Sequence, residues 1–244
     1  MTHGEPLTRL DDGFAAIPAG WFQMGSDDGS DDERPVHRVW IDAFEVALYP
    51  VTCADYDRFL RVTSHEPPRD WQVYSTIPDR PVVGVSWLDC QAYCRWLEAE
   101  GAPVRLPTEA EWERAARGLL HKTRYPWGDD VDATRANFLP DPALKRHRGT
   151  RPVGCYAPNG LQLYDMAGNV WQWVADWYRP DAYRTEERRN PRGPGTGSMR
   201  IVRGGSWVSH DVDQLRCAHR HKVPPDTYAY SIGFRVVYSD DGSE

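Results

Sequence analysis

The sequence predicts an α+β fold, loop-rich and with little regular secondary structure, on three observations. Segments opening on Thr52, Ser86 and Thr108, residue types that cap helices, continue with apolar residues at helical spacing. Phe14 to Met24, His37 to Tyr49 and the closing run IGFRVV from Ile232 to Val237 carry the alternation or β-branched character of strands. Between them, 20 Gly and 20 Pro among 244 residues break the chain into short pieces. Ile and Leu are few, but 11 Trp and 12 Tyr compensate, since each aromatic side chain buries about 150–250 Å². The core is expected to be aromatic rather than aliphatic.

In chain order, FAAIPAGWFQM (14–24) reads as a strand pair broken at Pro18-Ala19-Gly20. The following GSDDGSDDERP is an acidic loop whose carboxylates lack EF-hand spacing, so it reads as solvated. HRVWIDAFEVALY (37–49) reads as strand. Thr52 caps a short helix with Tyr56, Phe59 and Leu60 on one face. Ser86 caps a second, with Trp87, Cys90, Tyr93, Cys94 and Leu97 at helical spacing, ended by Gly101. Thr108 and Glu111 form a capping box for a third, whose buried stripe is Trp112, Ala115 and Ala116 and which Gly118 stops. From about Tyr125 the patterning thins until LYDMAGNVWQWVADW (163–177), where Gly168-Asn169 suits left-handed backbone. Beside that turn, Asp165 and Gln172 offer oxygen to a hard cation. Tyr178 to Ser198, rich in Arg, Pro and Gly, reads as a mobile surface insertion. Without an internal repeat, one domain is expected over residues 10–240.

The net charge of −7 argues against general nucleic-acid binding, which needs a concentrated basic face; the one basic cluster, Lys145 to Arg151, reads as a solvated loop. No apolar run approaches twenty residues and the first residues are polar, so no membrane span and a cytoplasmic location are expected. Five cysteines without CxxC spacing indicate neither a zinc ribbon nor a full disulfide framework.

Chemically able side chains concentrate between Arg203 and Val237, where Ser209, His210, Cys217, His219 and His221 lie between a Gly-Gly pair and the final strand. His219 and His221 are two apart and on a strand would share a face with Cys217, with His210 approaching across the sheet. Such a set suits copper, zinc or iron. Alternatively, Cys217 is a small core residue and the histidines face solvent.

The ordered motifs MGS, RPVHRVWIDAF, SWLDCQAYCRWL, RLPTEAEWERAARG, YPWGDD, ANF, APNGLQLYDMAGNVWQW, RGGSW and IGFR run from about Ile17 to Val237. Together they resemble the formylglycine-generating enzyme, or sulfatase-modifying factor, family. The resemblance implies a C-type-lectin-like fold, also used by the variable proteins of diversity-generating retroelements. In the founding enzymes two cysteines of the final stretch bind copper and oxidise a sulfatase cysteine with oxygen. Counting from RGGS, those positions fall on Ser209 and Gln214, with His210 as the neighbouring histidine, while Ser206 and Trp171 match the pocket's serine and tryptophan. A hydroxyl and a carboxamide do not replace soft thiolates on copper(I).

The resemblance also implies one calcium held by Asp165, the carbonyls of Gly168 and Val170, and Gln172. At the family's second calcium site Asn137 and Phe138 match, but Lys145 falls on or near the aspartate position unless Asp141 takes its place. By analogy with the retroelement proteins, Ser209, His210, Asp211, Asp213, His219, Arg220, His221, Thr227, Tyr228 and Tyr230 would form a surface for a protein or peptide ligand. The alternatives are a diverged oxygen-dependent metalloenzyme with His and Cys ligands, and formylglycine formation with thiols supplied from elsewhere in the chain.

Overall fold

The first and last described strands meet in one sheet. The computed structural model describes residues 13–119, 122–139, 149–185 and 187–238. In that sheet β1 (Phe14–Ile17), β4 (Phe44–Ala47), β10 (Val237–Tyr238) and β5 (Val104–Arg105) lie side by side in the order given, all antiparallel. A second sheet joins β2 (Gly20–Met24) to β3 (His37–Ile41), with Trp21 opposite Trp40. The third has the order β8 (His221–Val223), β7 (Arg200–Arg203), β6 (Trp171–Trp177), β9 (Ile232–Phe234), with β6 and β9 parallel.

Each of the three strand-like stretches read from the sequence divides, and its halves enter different sheets. Phe14–Met24 divides at Pro18, which has no N–H to continue a ladder. His37–Tyr49 divides at Asp42-Ala43. The run IGFRVV divides at Arg235, whose fully buried side chain donates to the carbonyls of Ala47 (2.8 Å) and Tyr164 (2.6 Å) and ties the crossing to two other segments.

The three expected helices form: α1 (Cys53–Thr63), α3 (Trp87–Ala99) and α4 (Glu109–Arg117), with a single turn, α2 (Trp71–Tyr74), before Ser75. Each of the three long ones opens on a complete capping box, Thr52 with Asp55, Ser86 with Asp89 and Thr108 with Glu111, so both first-turn donors are satisfied locally. In α4 the outcome differs from a single buried stripe: all nine residues are buried, including Glu109, Glu113 and Arg117. Its charged face meets protein partners instead of water.

Tyr178–Ser198, expected as a mobile insertion, is anchored. Short α5 (Ala182–Thr185) buries Tyr183 completely, and Trp40 N donates to the Arg188 carbonyl while Asn190 N donates to the Trp40 carbonyl. The aromatic core gathers Tyr56, Phe59, Tyr93, Trp96 and Phe234 in edge and stacked contacts between α1, α3 and the third sheet. A second cluster around Trp112 and Tyr183 is mostly aliphatic, built from Ile17, Met24, Val39, Ile41, Val46 and Ile201. Among the described residues no helix is long and apolar enough to cross a membrane.

Candidate functional site

The site is built on the end of β7. Gly204 and Gly205 leave it at φ +92° and +73°, and a Cβ on Gly204 would lie 2.8 Å from the Met166 carbonyl and 3.0 Å from the Trp112 ring. Only glycine passes there without displacing backbone. The turn carries Ser206 and Ser209 into the interior. Ser206 N donates to the Ser209 hydroxyl at 3.0 Å, and Ser209 N donates back to the Ser206 carbonyl at 2.9 Å. The Ser206 hydroxyl is buried and has no hydrogen-bond partner among the described residues. His210 and Asp211 are exposed, and Gln214 sits half-buried in a 3-10 turn, Val212–Leu215, capped by the Asp211 carboxylate. Asp213 pairs with Arg124 at 2.6 Å.

His219 and His221 do share a face: their rings lie 5.8 and 5.1 Å from the Trp171 ring. His219 is 18% exposed, and burial, helped by Arg216 and Arg203, lowers its pKa to about 4. Burial against the sheet and then Lys222 lower His221 as well. Cys217 does not join them. It lies in a turn before β8, fully buried in the aliphatic cluster, and burial pushes its thiol up to about 12. The expected Cys217–His219–His221 group is therefore not formed, because the residues preceding β8 are not strand; among the described residues no three His, Cys, Asp or Glu side chains gather as a metal-binding group.

Beyond the histidines the stretch forms an aromatic ledge. Tyr228 is 64% exposed, and Thr227 is half-buried with its N–H on the Pro224 carbonyl. Tyr230 stacks on Tyr74 at 4.6 Å, donates its hydroxyl to Asp70 at 2.6 Å, and offers its carbonyl to the Trp207 indole N–H. The ledge is thus fixed from two sides before any ligand arrives.

The same stretch contributes Arg203, Arg216 and Arg220 to a buried charge network that sequence reasoning missed. Arg216 holds Glu33 with two hydrogen bonds of 2.6 and 2.9 Å. Arg220 holds Glu109 with two more, and Arg203 bridges Glu109 and Glu113, the latter also held by Arg117. Glu33 belongs to the loop read as solvated, yet it is completely buried. The one available signal was the run EAEWERAAR, with more charge than a one-sided helix needs.

Of the expected calcium ligands, Asp165 and Gln172 are brought together but do not fit the ion, while the Gly168 carbonyl accepts from Val170 N at 2.8 Å. Gln172 turns its carbonyl oxygen to two donors, Trp112 Nε1 (2.9 Å) and Arg235 Nε (2.7 Å), which fills both lone pairs, and its amide donates to the Asp165 carbonyl. The Asp165 carboxylate accepts from Gly154 N and Asn169 Nδ2, and the buried Arg235 guanidinium supplies a positive charge beside it. At the second position Asn137 donates to the Gly149 carbonyl and Phe138 is buried, while Asp141 and Lys145 lie outside the described residues. Nor does the hollow suit copper(I): Ser209 and Gln214 offer oxygen and amide, the thiols of Cys53, Cys90, Cys94 and Cys217 are buried and held protonated by burial, and the exposed Cys155 is a single thiol rather than a pair. Two cavities border the terminal stretch. One of about 480 Å³ is bounded by Gly25, Asp27, Lys122 and Arg216, and one of about 550 Å³ by Asp32, Tyr178, Arg220, His221 and Lys222.

Comparison with known proteins follows the same lines. The sequence model of the Sulfatase-modifying factor enzyme 1-like domain matches residues 4–240. The chain is 36% identical over 286 residues to the formylglycine-generating enzyme of Thermomonospora curvata, covering 92% of this chain and 93% of that protein. It is 37% identical over 241 residues to serine/threonine-protein kinase pkn1 of Chlamydia caviae, covering 91% of this chain and spanning only 37% of the kinase's length. Among solved structures, PvdO from Pseudomonas aeruginosa superposes with a TM-score of 0.81 at 27% identity, covering 92% and 93% of the two chains. Treponema denticola variable protein 1 shares the fold, with a TM-score of 0.77 at 23% identity over 92% and 94%.

Proposed function

The chain belongs to the sulfatase-modifying factor enzyme 1-like family, and on that premise we propose that it is a binding member of the family whose 208–231 surface takes a protein or peptide ligand. The observation that carries this reading is the Ser206–Ser209 turn. Where motif order sets the first copper thiolate, a serine hydroxyl accepts a backbone N–H and is spent on holding the loop. The second position, Gln214, brings no thiolate either. With that chemistry removed, the stretch retains what recognition needs: an exposed tyrosine next to a second tyrosine pinned by stacking and by Asp70. Rigid aromatic side chains give contact area at low entropic cost.

A peptide library displayed on phage and selected on the purified chain tests the proposal. Selected peptides are expected to bind at least about thirtyfold more weakly to Tyr228→Ser, the size of a hot-spot loss. In parallel, a CxPxR-type sulfatase peptide incubated with the chain, copper and oxygen is expected to yield no aldehyde. Aldehyde formation would return the chain to the enzymes of the family.

A further inference from the structure

On the β2–β3 sheet, away from the ledge, side chains alternate as Arg38, Trp21, Trp40 and Arg189. The Arg38 guanidinium lies 4.6 Å over the Trp21 ring, Trp21 meets Trp40 edge-on at 5.5 Å, and Arg189 lies 5.4 Å over Trp40. The strip therefore consists of two units of the same kind, an arginine laid on a tryptophan. One is closed. The Asp42 carboxylate accepts from Arg189 at 2.8 Å, from the Trp40 indole N–H at 2.6 Å and from Asn190 Nδ2 at 2.6 Å.

The other unit is open. Among the described residues Arg38 makes no ion pair and is exposed, and Trp21 is 41% exposed. A guanidinium lying over a ring keeps its N–H donors free of that contact, and such a fork can take a carboxylate with two parallel hydrogen bonds. The chain thus displays at Arg189 the ligand that its twin site at Arg38 lacks.

We propose that the Trp21–Arg38 face is a second interaction surface, for a protein segment that sets a single Asp or Glu carboxylate on Arg38 and an adjacent aliphatic side chain on the Trp21 ring. Two features favour an isolated carboxylate over a nucleic-acid strand. The positive charge is confined to a short strip, and the loop joining β2 to β3 carries Asp27, Asp28, Asp31 and Asp32, which repel a continuous polyanion. Trp and Arg are also the residue types that dominate hot spots between proteins.

The probe is a fluorescein-labelled, C-terminally amidated peptide with a single glutamate flanked by leucines, followed by fluorescence anisotropy against the whole chain, with the peptide carrying glutamine in place of that glutamate as control. The glutamate peptide is expected to bind at least about tenfold tighter than the control, and Arg38→Gln and Trp21→Leu are each expected to weaken it at least about fivefold. Asp42→Asn, which frees Arg189, is expected to strengthen it. Equal binding of the two peptides, or indifference to Arg38→Gln, would overturn the assignment. So would tighter binding of an oligodeoxythymidine probe, or a dimer in light scattering that Arg38→Gln dissolves, since these assign the face to nucleic acid or to a second copy.

Discussion

At the scale of single residues, His219 shows what the fold does to a side chain the sequence offers as a ligand. Its ring is held against Trp171 with Arg216 and Arg203 nearby, and it protonates only near pH 4 in the folded chain, against 6.5 for an ordinary histidine. The unfolded chain takes up this proton first as pH falls. His219 therefore contributes stability that is fully present above about pH 6.5 and is lost progressively as pH falls toward about 4. The shift corresponds to at most on the order of 3 kcal/mol. Urea unfolding of the parent chain and of His219→Gln at several pH values across this window is expected to show a flatter profile for the variant; parallel profiles would mean the ring is freely solvated. The i, i+2 spacing made the shared face of His219 and His221 legible. Their stacking on Trp171 was not, because that contact depends on how β6 and β8 flank β7.

At the scale of elements, α4 separates local from tertiary stabilisation. Its cap, Thr108 with Glu111, is local and was readable. Thr108→Ala is expected to cost about 1 kcal/mol. The first residue inside the helix, Glu109, accepts from both Arg203 and Arg220. Glu109→Gln leaves the buried Arg220 guanidinium without its carboxylate partner and Arg203 with Glu113 alone, and is expected to cost about 3–5 kcal/mol in the same denaturation experiment. If the two variants lose equal stability, the buried network is not what fixes this helix to the third sheet. The divided strands carry the same lesson. Alternation and β-branching identified residues that prefer extended backbone, and Pro18 marked one break, but the crossings from one sheet to another at Asp42 and Arg235 leave no mark on that pattern.

At the scale of the whole molecule, the place where a cation would clamp the long 149–170 loop to β6 is closed by protein groups. Gln172 is saturated by Trp112 and Arg235, and Arg235 also gathers the carbonyls of Ala47 and Tyr164. A ligand at about 100 times its Kd adds about 2.7 kcal/mol to stability. Excess calcium and EDTA are accordingly expected to give melting temperatures within about 1 °C of each other; a rise of several degrees with calcium would show that the Gln172 carboxamide turns to bind it. Residue order alone set the helix caps and the glycine turns at Gly168 and Gly204, which are short-range rules satisfied a few residues apart, and carried the aromatic content and the motif order that marks the family. It took the folded chain to pair Glu33 with Arg216 and Glu109 with Arg203 and Arg220, and to lay Arg38 and Arg189 each on a tryptophan. A charge is tolerated in the interior only beside its partner, and here the partners come from segments far apart in the chain, where no local pattern joins them.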